Sequence, residues 1–275
     1  MFLPMQVRIP DLSGERFRIH YRVQAADAHA ARRIAEGIAL EQTVELPASI
    51  VPGGDIQGQI VGQIEALDSA ARGFDVTISY AVETAGTGLT QLINVIFGNT
   101  SMQPGVQVRA LDLPDSLLAG YRGPRFGIEG LRDLLGIHDR PLLCTALKPM
   151  GLNAEQLAQI AYAFALGGID IIKDDHGLAN QSFCPFEERV ARCADAVERA
   201  NRETGLRCIY APNVTAPHDE VIGRARFARS VGAGGLLISY SVTGFDAMRC
   251  LADDDSIGLP ILAHPALSGG YVTSP

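Results

Sequence analysis

Residues 142–176 read LLCTALKPMGLNAEQLAQIAYAFALGGIDIIKDDH, and the order of elements in this stretch decides the fold. "LLCTALK" is a continuous apolar run that ends in Lys148. "NAEQLAQIAYAFALGG" then puts Leu157, Ile160, Ala161 and Phe164 on one helical face and closes on two glycines, the pattern of an amphipathic helix with a glycine stop. A second apolar run, Ile169 to Ile172, ends in Lys173, Asp174, Asp175 and His176. Strand, helix, strand in this order is a βα unit feeding a parallel neighbour, whose strands stay apolar because helices cover the sheet.

The rhythm continues toward the C-terminus. "IDIIKDD" precedes "FEERVARCADAVERANRETG", "LRCIYAPNVT" precedes "HDEVIGRARFARSVGAGG", "LLISY" precedes "GFDAMRCLADDD", and "LPILAHP" opens a fifth strand. Each strand is apolar at its start and polar at its C-terminal end: Lys148; Lys173, Asp175 and His176; Asn213 and Thr215; Ser239; His264. Barrel enzymes collect their chemistry from the C-terminal ends of many strands, whereas a doubly wound sheet concentrates it at one switch point behind a glycine-rich turn. No GxGxxG follows any strand, so the α/β class is predicted as a (β/α)8 TIM-type barrel over 141–275 with about five strands present. At about 28 residues per unit, roughly 90 residues are wanting for eight strands, which predicts a C-terminally truncated product, a fragment, or a half barrel completed by another chain.

The first 120 residues differ. "RFRIHYRVQ" and "GFDVTISYAVE" read as strands, "DAHAARRIAEGIALEQ" as a helix capped by Asp27, "TGLTQLINVIFGN" as a second helix, and "VQVRALDLP" as a further strand. This predicts an N-terminal α+β sandwich domain over 1–120, joined through a linker at 121–140 that contains "GPRFGIEGLRDLLG". The chain's 275 residues, 47% hydrophobic and 20% charged, suit a globular protein with a substantial core. A net charge of −8 without a basic block argues against a nucleic-acid partner. The start lacks a basic n-region, and no stretch approaches the roughly 18 apolar residues of a spanning helix, so no membrane partner and a cytoplasmic location are expected. Five cysteines without CxxC spacing suit neither a disulfide framework nor zinc and are read as small core residues.

Side chains two apart on a strand share a face, so Lys173 and Asp175 are predicted to look into the barrel while Asp174 looks away and His176 bends back to the mouth. A carboxylate and an imidazole are part of a site for Mg²⁺. A buried, neutral lysine can add CO₂ and become a carbamate, which turns an amine into an oxygen ligand. The competing reading is an ion pair of Lys173 with Asp175 in a structural network. A Schiff-base aldolase using Lys173 or Lys148, and a truncated non-catalytic remnant or interaction subunit, are the alternative functions. His20, His29 and His138 are isolated, His218 opens a helix, and the run Asp253 to Ser256 lacks the spacing of a calcium loop.

"GIDIIKDDHGLANQSFCPFEERV" resembles the metal-binding stretch of ribulose-bisphosphate carboxylase (RuBisCO) large chains, with their Lys-Asp-Asp-Glu and Gln/Ser-Pro-Phe segments. "CTALKPMGLNAEQLAQIAYAFALGG" is similar to that family's first barrel strand and helix, "FGNTSMQPGVQVRALDLP" to its Gly-Asn segment, and "YRGPRFGIEGLRDLLGIHDRPLL" to its barrel linker, so the resemblance runs from about Tyr21 to Pro275. It implies that Lys173 is the carbamylated lysine, Asp175 a Mg²⁺ ligand, and His176 the replacement for a glutamate ligand. It further implies that Lys148 handles protons on an enediolate, that His264 is the fifth-strand histidine, and that Asn99 and Glu36 serve the neighbouring site of an antiparallel homodimer.

Departures from the family narrow the expectation. Met150 stands where the family has a second lysine, Pro265 where it has a phosphate-binding arginine, and "ALEQTVE" replaces a Thr-Trp pair. The resemblance is therefore to the RuBisCO-like proteins, or form IV, and implies Mg²⁺-dependent enolate chemistry on a phosphorylated sugar or sugar acid: isomerisation, enolisation or decarboxylation, without CO₂ fixation. "FGNTSMQ" has no lysine, which ranks the methionine-salvage enolase branch lower. The implied mobile lysine loop and glycine-rich phosphate turns would come from strands beyond Pro275, so the chain as written is expected to grip phosphate poorly and to be an uncertain catalyst.

Overall fold

The structure, a computed structural model, describes residues 5–271. They form two compact units, one up to Tyr121 and one from Arg122. In the first, β1 (Gln6–Val7) pairs in parallel with β3 (Gly53–Gly54). Between them run β2 (Arg16–Val23) and helix α1 (Ala28–Glu41). Next come β4 (Gln63–Ser69), β5 (Phe74–Ala81), α2 (Val82–Ala85), α3 (Leu89–Ile96), β6 (Val106–Asp112) and α4 (Asp115–Leu118).

Four of these strands make an antiparallel sheet in the order β4-β5-β2-β6. Alternation along β2 buries Phe17, Ile19, Tyr21 and Val23 on one face, where they meet Ala35, Ile38 and Ala39 of α1 and Leu92, Val95 and Ile96 of α3. Asp27 caps α1 as predicted, accepting the Ala30 N–H at 2.7 Å. The edge strand β4 is absent from the sequence prediction, because "QIEALDS" carries two acids and only partly buried apolar positions.

The second unit opens with α5 (Gly127–Leu135). Then β and α alternate: β7 (Cys144–Leu147), α6 (Ala154–Leu166), β8 (Ile171–Asp174), α7 (Phe186–Thr204), β9 (Ile209–Ala211), α8 (His218–Ser230) and β10 (Leu236–Ile238). Short α9 (Tyr240–Thr243), α10 (Phe245–Asp253), β11 (Ile261–Ala263) and α11 (Ser268–Tyr271) complete it. The strands pair in parallel as β7-β8-β9 and β10-β11, and the Leu237 N–H donates to the Pro212 carbonyl at 2.8 Å to bring the two groups together. The chain is thus an N-terminal α+β sandwich followed by part of a TIM-type barrel, with five staves among the described residues.

Period-two alternation sorts the barrel residues. Ile171 and Ile209 join Leu135 in one cluster, with Leu131 and Leu262 against it. Ile172 and Tyr210 face the helices, in a core with Leu157, Ala161, Val190, Cys193 and Val197. Asn153 and Gln156 close a capping box on α6, and small residues at Ala158, Ala161 and Ala165 let α6 lie close to α7. At the N-terminal end of the staves Asp170 accepts both guanidinium nitrogens of Arg140 at 2.7 Å and the Leu143 N–H at 2.7 Å, which holds its carboxyl below the usual range. That end pins strands, and the opposite end carries the chemistry.

The expectation that all five cysteines are core residues needs correction at two positions. Cys184, Cys193 and Cys208 are buried, but Cys144 and Cys250 are exposed, so only three of the five are core residues. Among the described residues no helix is long and apolar enough to cross a membrane.

Candidate active site

The last residue of β8 and the two that follow it explain the polar ending of that strand. Ile172 and Asp174 point to the helices, and Lys173 points the other way, with Ala146 of β7 and Ala211 of β9 as its neighbours in register. Small neighbours leave room for a long side chain. Asp174 is fully buried and ion-paired to the equally buried Arg189, whose Nε donates to Asp174 Oδ2 at 3.1 Å. Tyr210 donates its hydroxyl to Asp174 Oδ1 at 2.7 Å, and the Asn213 N–H donates to Oδ2 at 2.9 Å. Desolvation and the Asp174 charge drive the Tyr210 phenol far above its ordinary range, so it stays a neutral donor.

Asp175 is the centre of the exposed face. Its Oδ1 lies 3.4 Å from Lys148 Nζ and 3.7 Å from His176 Nδ1, and its Oδ2 accepts the Gly177 N–H at 3.3 Å. Partial burial would raise its pKa, but the Gly177 hydrogen bond and the His176 and Lys148 charges outweigh that and hold it low. The His176 ring stacks on His264, with centroids 4.4 Å apart and planes 16° from parallel. His264 Nδ1 accepts the Ala266 N–H at 3.1 Å, so the neutral ring carries its proton on Nε2. Burial lowers the His264 pKa, as do the charges of His176 and Lys173, against an opposing pull from Asp175.

Lys148, Lys173, Asp175, His176 and His264, expected at the ends of three strands, are therefore brought together at one mouth. Asn99 and Glu36 belong to the first unit. Asn99 donates to Glu41 at 2.9 Å, and Glu36 on α1 pairs with Arg32 at 3.3 Å. Met150, in the place expected for a lysine, is half exposed.

The donor set decides whether a cation fits. Among the described residues no group of three His, Cys, Asp or Glu is placed to hold a metal. Asp175 and His176 supply one oxygen and one nitrogen, the His264 imidazole stacks on His176, and Lys173 can add a further oxygen by carbamylation. With that third donor the set suits a hard divalent cation that keeps several waters.

Sequence reasoning missed the layer behind this mouth. Asn213, a polar strand end in the sequence, is fully buried behind the Asp175 loop, with its Nδ2 on the His176 and Leu178 carbonyls. Arg189 could have been found: it falls between Phe186, Val190 and Cys193 on the apolar face of α7, where an arginine needs a buried acid.

Known proteins share this arrangement of elements. The family model described as ribulose bisphosphate carboxylase large chain, catalytic domain, matches residues 127–271. Ribulose bisphosphate carboxylase-like protein 1 of Rhodopseudomonas palustris is 40% identical over 263 residues, covering 95% of this chain and 71% of that protein. The 5-methylthioribulose-1-phosphate isomerase of Rhodospirillum rubrum is 39% identical over 257 residues, covering 93% and 68%. The crystal structure of a Rubisco-like protein from Rhodopseudomonas palustris superposes with a TM-score of 0.84 at 37% identity, covering 93% of this chain and 70% of that one. Across such relatives the chain spans between 42% and 71% of their length.

Proposed function

The chain belongs to the ribulose bisphosphate carboxylase large-chain family, as a RuBisCO-like member, and from that premise we propose that it performs enolate chemistry on a phosphorylated sugar without fixing CO₂. The observation that carries the reading is the gathering of Lys148, Asp175, His176 and His264 within about one side-chain length of each other at the barrel mouth. The similarity to a 5-methylthioribulose-1-phosphate isomerase supports isomerisation of a ketose or aldose phosphate as the specific reaction.

Lys173, Asp175 and His176 would hold Mg²⁺, with Lys173 as its carbamate, and when bound the ion supplies stabilisation of the oxyanion that forms as a proton leaves the carbon α to a carbonyl. Lys148 Nζ, 3.4 Å from Asp175 and two-thirds exposed, is free to swing onto substrate and carry that proton. His264 presents its Nε2–H as a neutral hydrogen-bond donor to a substrate oxygen. Met150 and Pro265 leave this mouth without two cations that the family resemblance would otherwise supply, which favours proton transfer over carboxylation. Asn99 and Glu36 are proposed to serve a second copy in an antiparallel homodimer, on the resemblance alone.

Solvent exchange tests the reading. With 5-methylthioribulose 1-phosphate in D₂O, proton NMR is expected to show loss of the signal α to the carbonyl, dependent on Mg²⁺ and bicarbonate and abolished by EDTA. Exchange that persists in EDTA would instead support an imine at lysine, and no exchange with any phosphorylated ketose would remove the proposal.

A further inference from the structure

Among the described residues no strand pairs with the loop that carries Asp175 and His176. Its three successive carbonyls are nonetheless all occupied, and by side-chain amides. Asn213 Nδ2 donates to the His176 carbonyl at 2.9 Å and to the Leu178 carbonyl at 2.9 Å. Gln181 Nε2 donates to the Gly177 carbonyl at 2.8 Å, while its Oε1 accepts the Ala179 N–H at 3.0 Å. Asn213 is itself held on three sides: its backbone N–H donates to Asp174 at 2.9 Å, its Oδ1 accepts the Thr215 N–H at 3.1 Å, and it is fully buried. Leu178, also fully buried, anchors the loop from below.

We propose that Asn213 and Gln181 form an amide clamp, two positioning residues that fix residues 176–178 so that Asp175 and His176 project together into the mouth. Asn213 has no donor left for a substrate, since both of its Nδ2 protons are spent on the loop. Its link to Asp174 also ties the exposed pair to the buried Arg189–Asp174 pair, so the core and the mouth share one hydrogen-bonded frame. Without the clamp three carbonyls would be left to find other donors, and the loop could turn His176 off the face of His264. The proposal rests on Asp175 and His176 acting as cation ligands, whose affinity depends on the groups that orient them.

The test uses the whole chain labelled with carbon-13 histidine, together with Mn²⁺ as the probe cation in the presence of bicarbonate. In the unsubstituted protein the stacked His176 and His264 rings are expected to shift each other's imidazole signals upfield, with His20, His29, His138 and His218 as internal references. Gln181→Ala and Asn213→Ala are each expected to abolish that displacement, leave the four reference signals in place, and weaken Mn²⁺ binding read by electron paramagnetic resonance about 10–100-fold. Val190→Ala, a core truncation on α7 that removes no hydrogen bond of the clamp, should change neither. Folded clamp variants with unchanged His176 and His264 signals would overturn the proposal, as would a Val190→Ala protein that moves them equally. Should Asn213→Ala fail to fold, Gln181→Ala decides alone. If the unsubstituted protein binds no Mn²⁺, the cation reading fails, while the histidine spectra still decide the clamp.

Discussion

Replacing Asp174 with alanine is expected to cost about 3–5 kcal/mol of stability, because it leaves the Arg189 guanidinium buried without its counter-charge. Both side chains are fully shielded from water, so the penalty is not the small one of a surface ion pair. Arg189 already has one buried nitrogen, Nη2, without a hydrogen-bond partner. Removing Asp174 would strand Nε as well, along with the Tyr210 hydroxyl and the Asn213 N–H, and leave the guanidinium only the Nη1 bond to the Cys184 carbonyl at 3.3 Å. The double variant Asp174→Leu with Arg189→Met should recover much of the loss, since apolar residues of similar volume tolerate the same site. Urea denaturation of the two single variants and the double variant measures this directly, and a loss under 1 kcal/mol in Asp174→Ala would show that the pair does not hold the barrel core together.

The second large effect is catalytic. Lys148→Met keeps the length of the side chain but removes the only proton-carrying group at the end of β7, and the α-proton exchange rate should fall about 10²–10⁴-fold. Mn²⁺ binding should survive, because Lys148 is not a proposed ligand, and loss of its ammonium beside Asp175 relieves competition for that carboxylate. A variant that exchanges at the original rate would transfer the acid–base role to another group at the mouth, with His264 a candidate. The stability and exchange experiments read different links: one the packing that holds the stave, the other the chemistry at its tip.

Much of this was legible in the chain. The alternation of apolar runs with 3.6-period helices predicted the staves and their helices, and polar strand ends predicted the mouth, because burial on both faces forces chemistry to the C-terminal tips. Asp27 as a cap and His218 as the first residue of a helix were also readable from local chemistry. What periodicity could not reveal were pairings across the fold. The Asp174–Arg189 pair joins residues 15 apart, and Asn213 reaches the loop from a strand 35 positions away. The first needs α7 packed back on its strand, and the second needs the parallel register, before they exist. Edge strand β4 was missed for a related reason: only its partner β5 makes its partly buried face recognisable. Cys144 and Cys250 were misjudged because composition speaks to the average burial of cysteine, not to positions at the start of β7 and late in α10.

The proposed cation site depends on Lys173 becoming an oxygen donor, since among the described residues no group of three His, Cys, Asp or Glu is placed to hold a metal. The most direct measurement is carbon-13 NMR of the chain equilibrated with ¹³C-bicarbonate and Mg²⁺, compared with Lys173→Met. A carbamate resonance is expected in the unsubstituted protein that strengthens with Mg²⁺, disappears in Lys173→Met and fades when EDTA is added. An identical spectrum from both proteins would contradict it, and would leave Lys173, whose Nζ donates to the Asp174 carbonyl at 3.3 Å, as a residue of the strand rather than a ligand of a cation site.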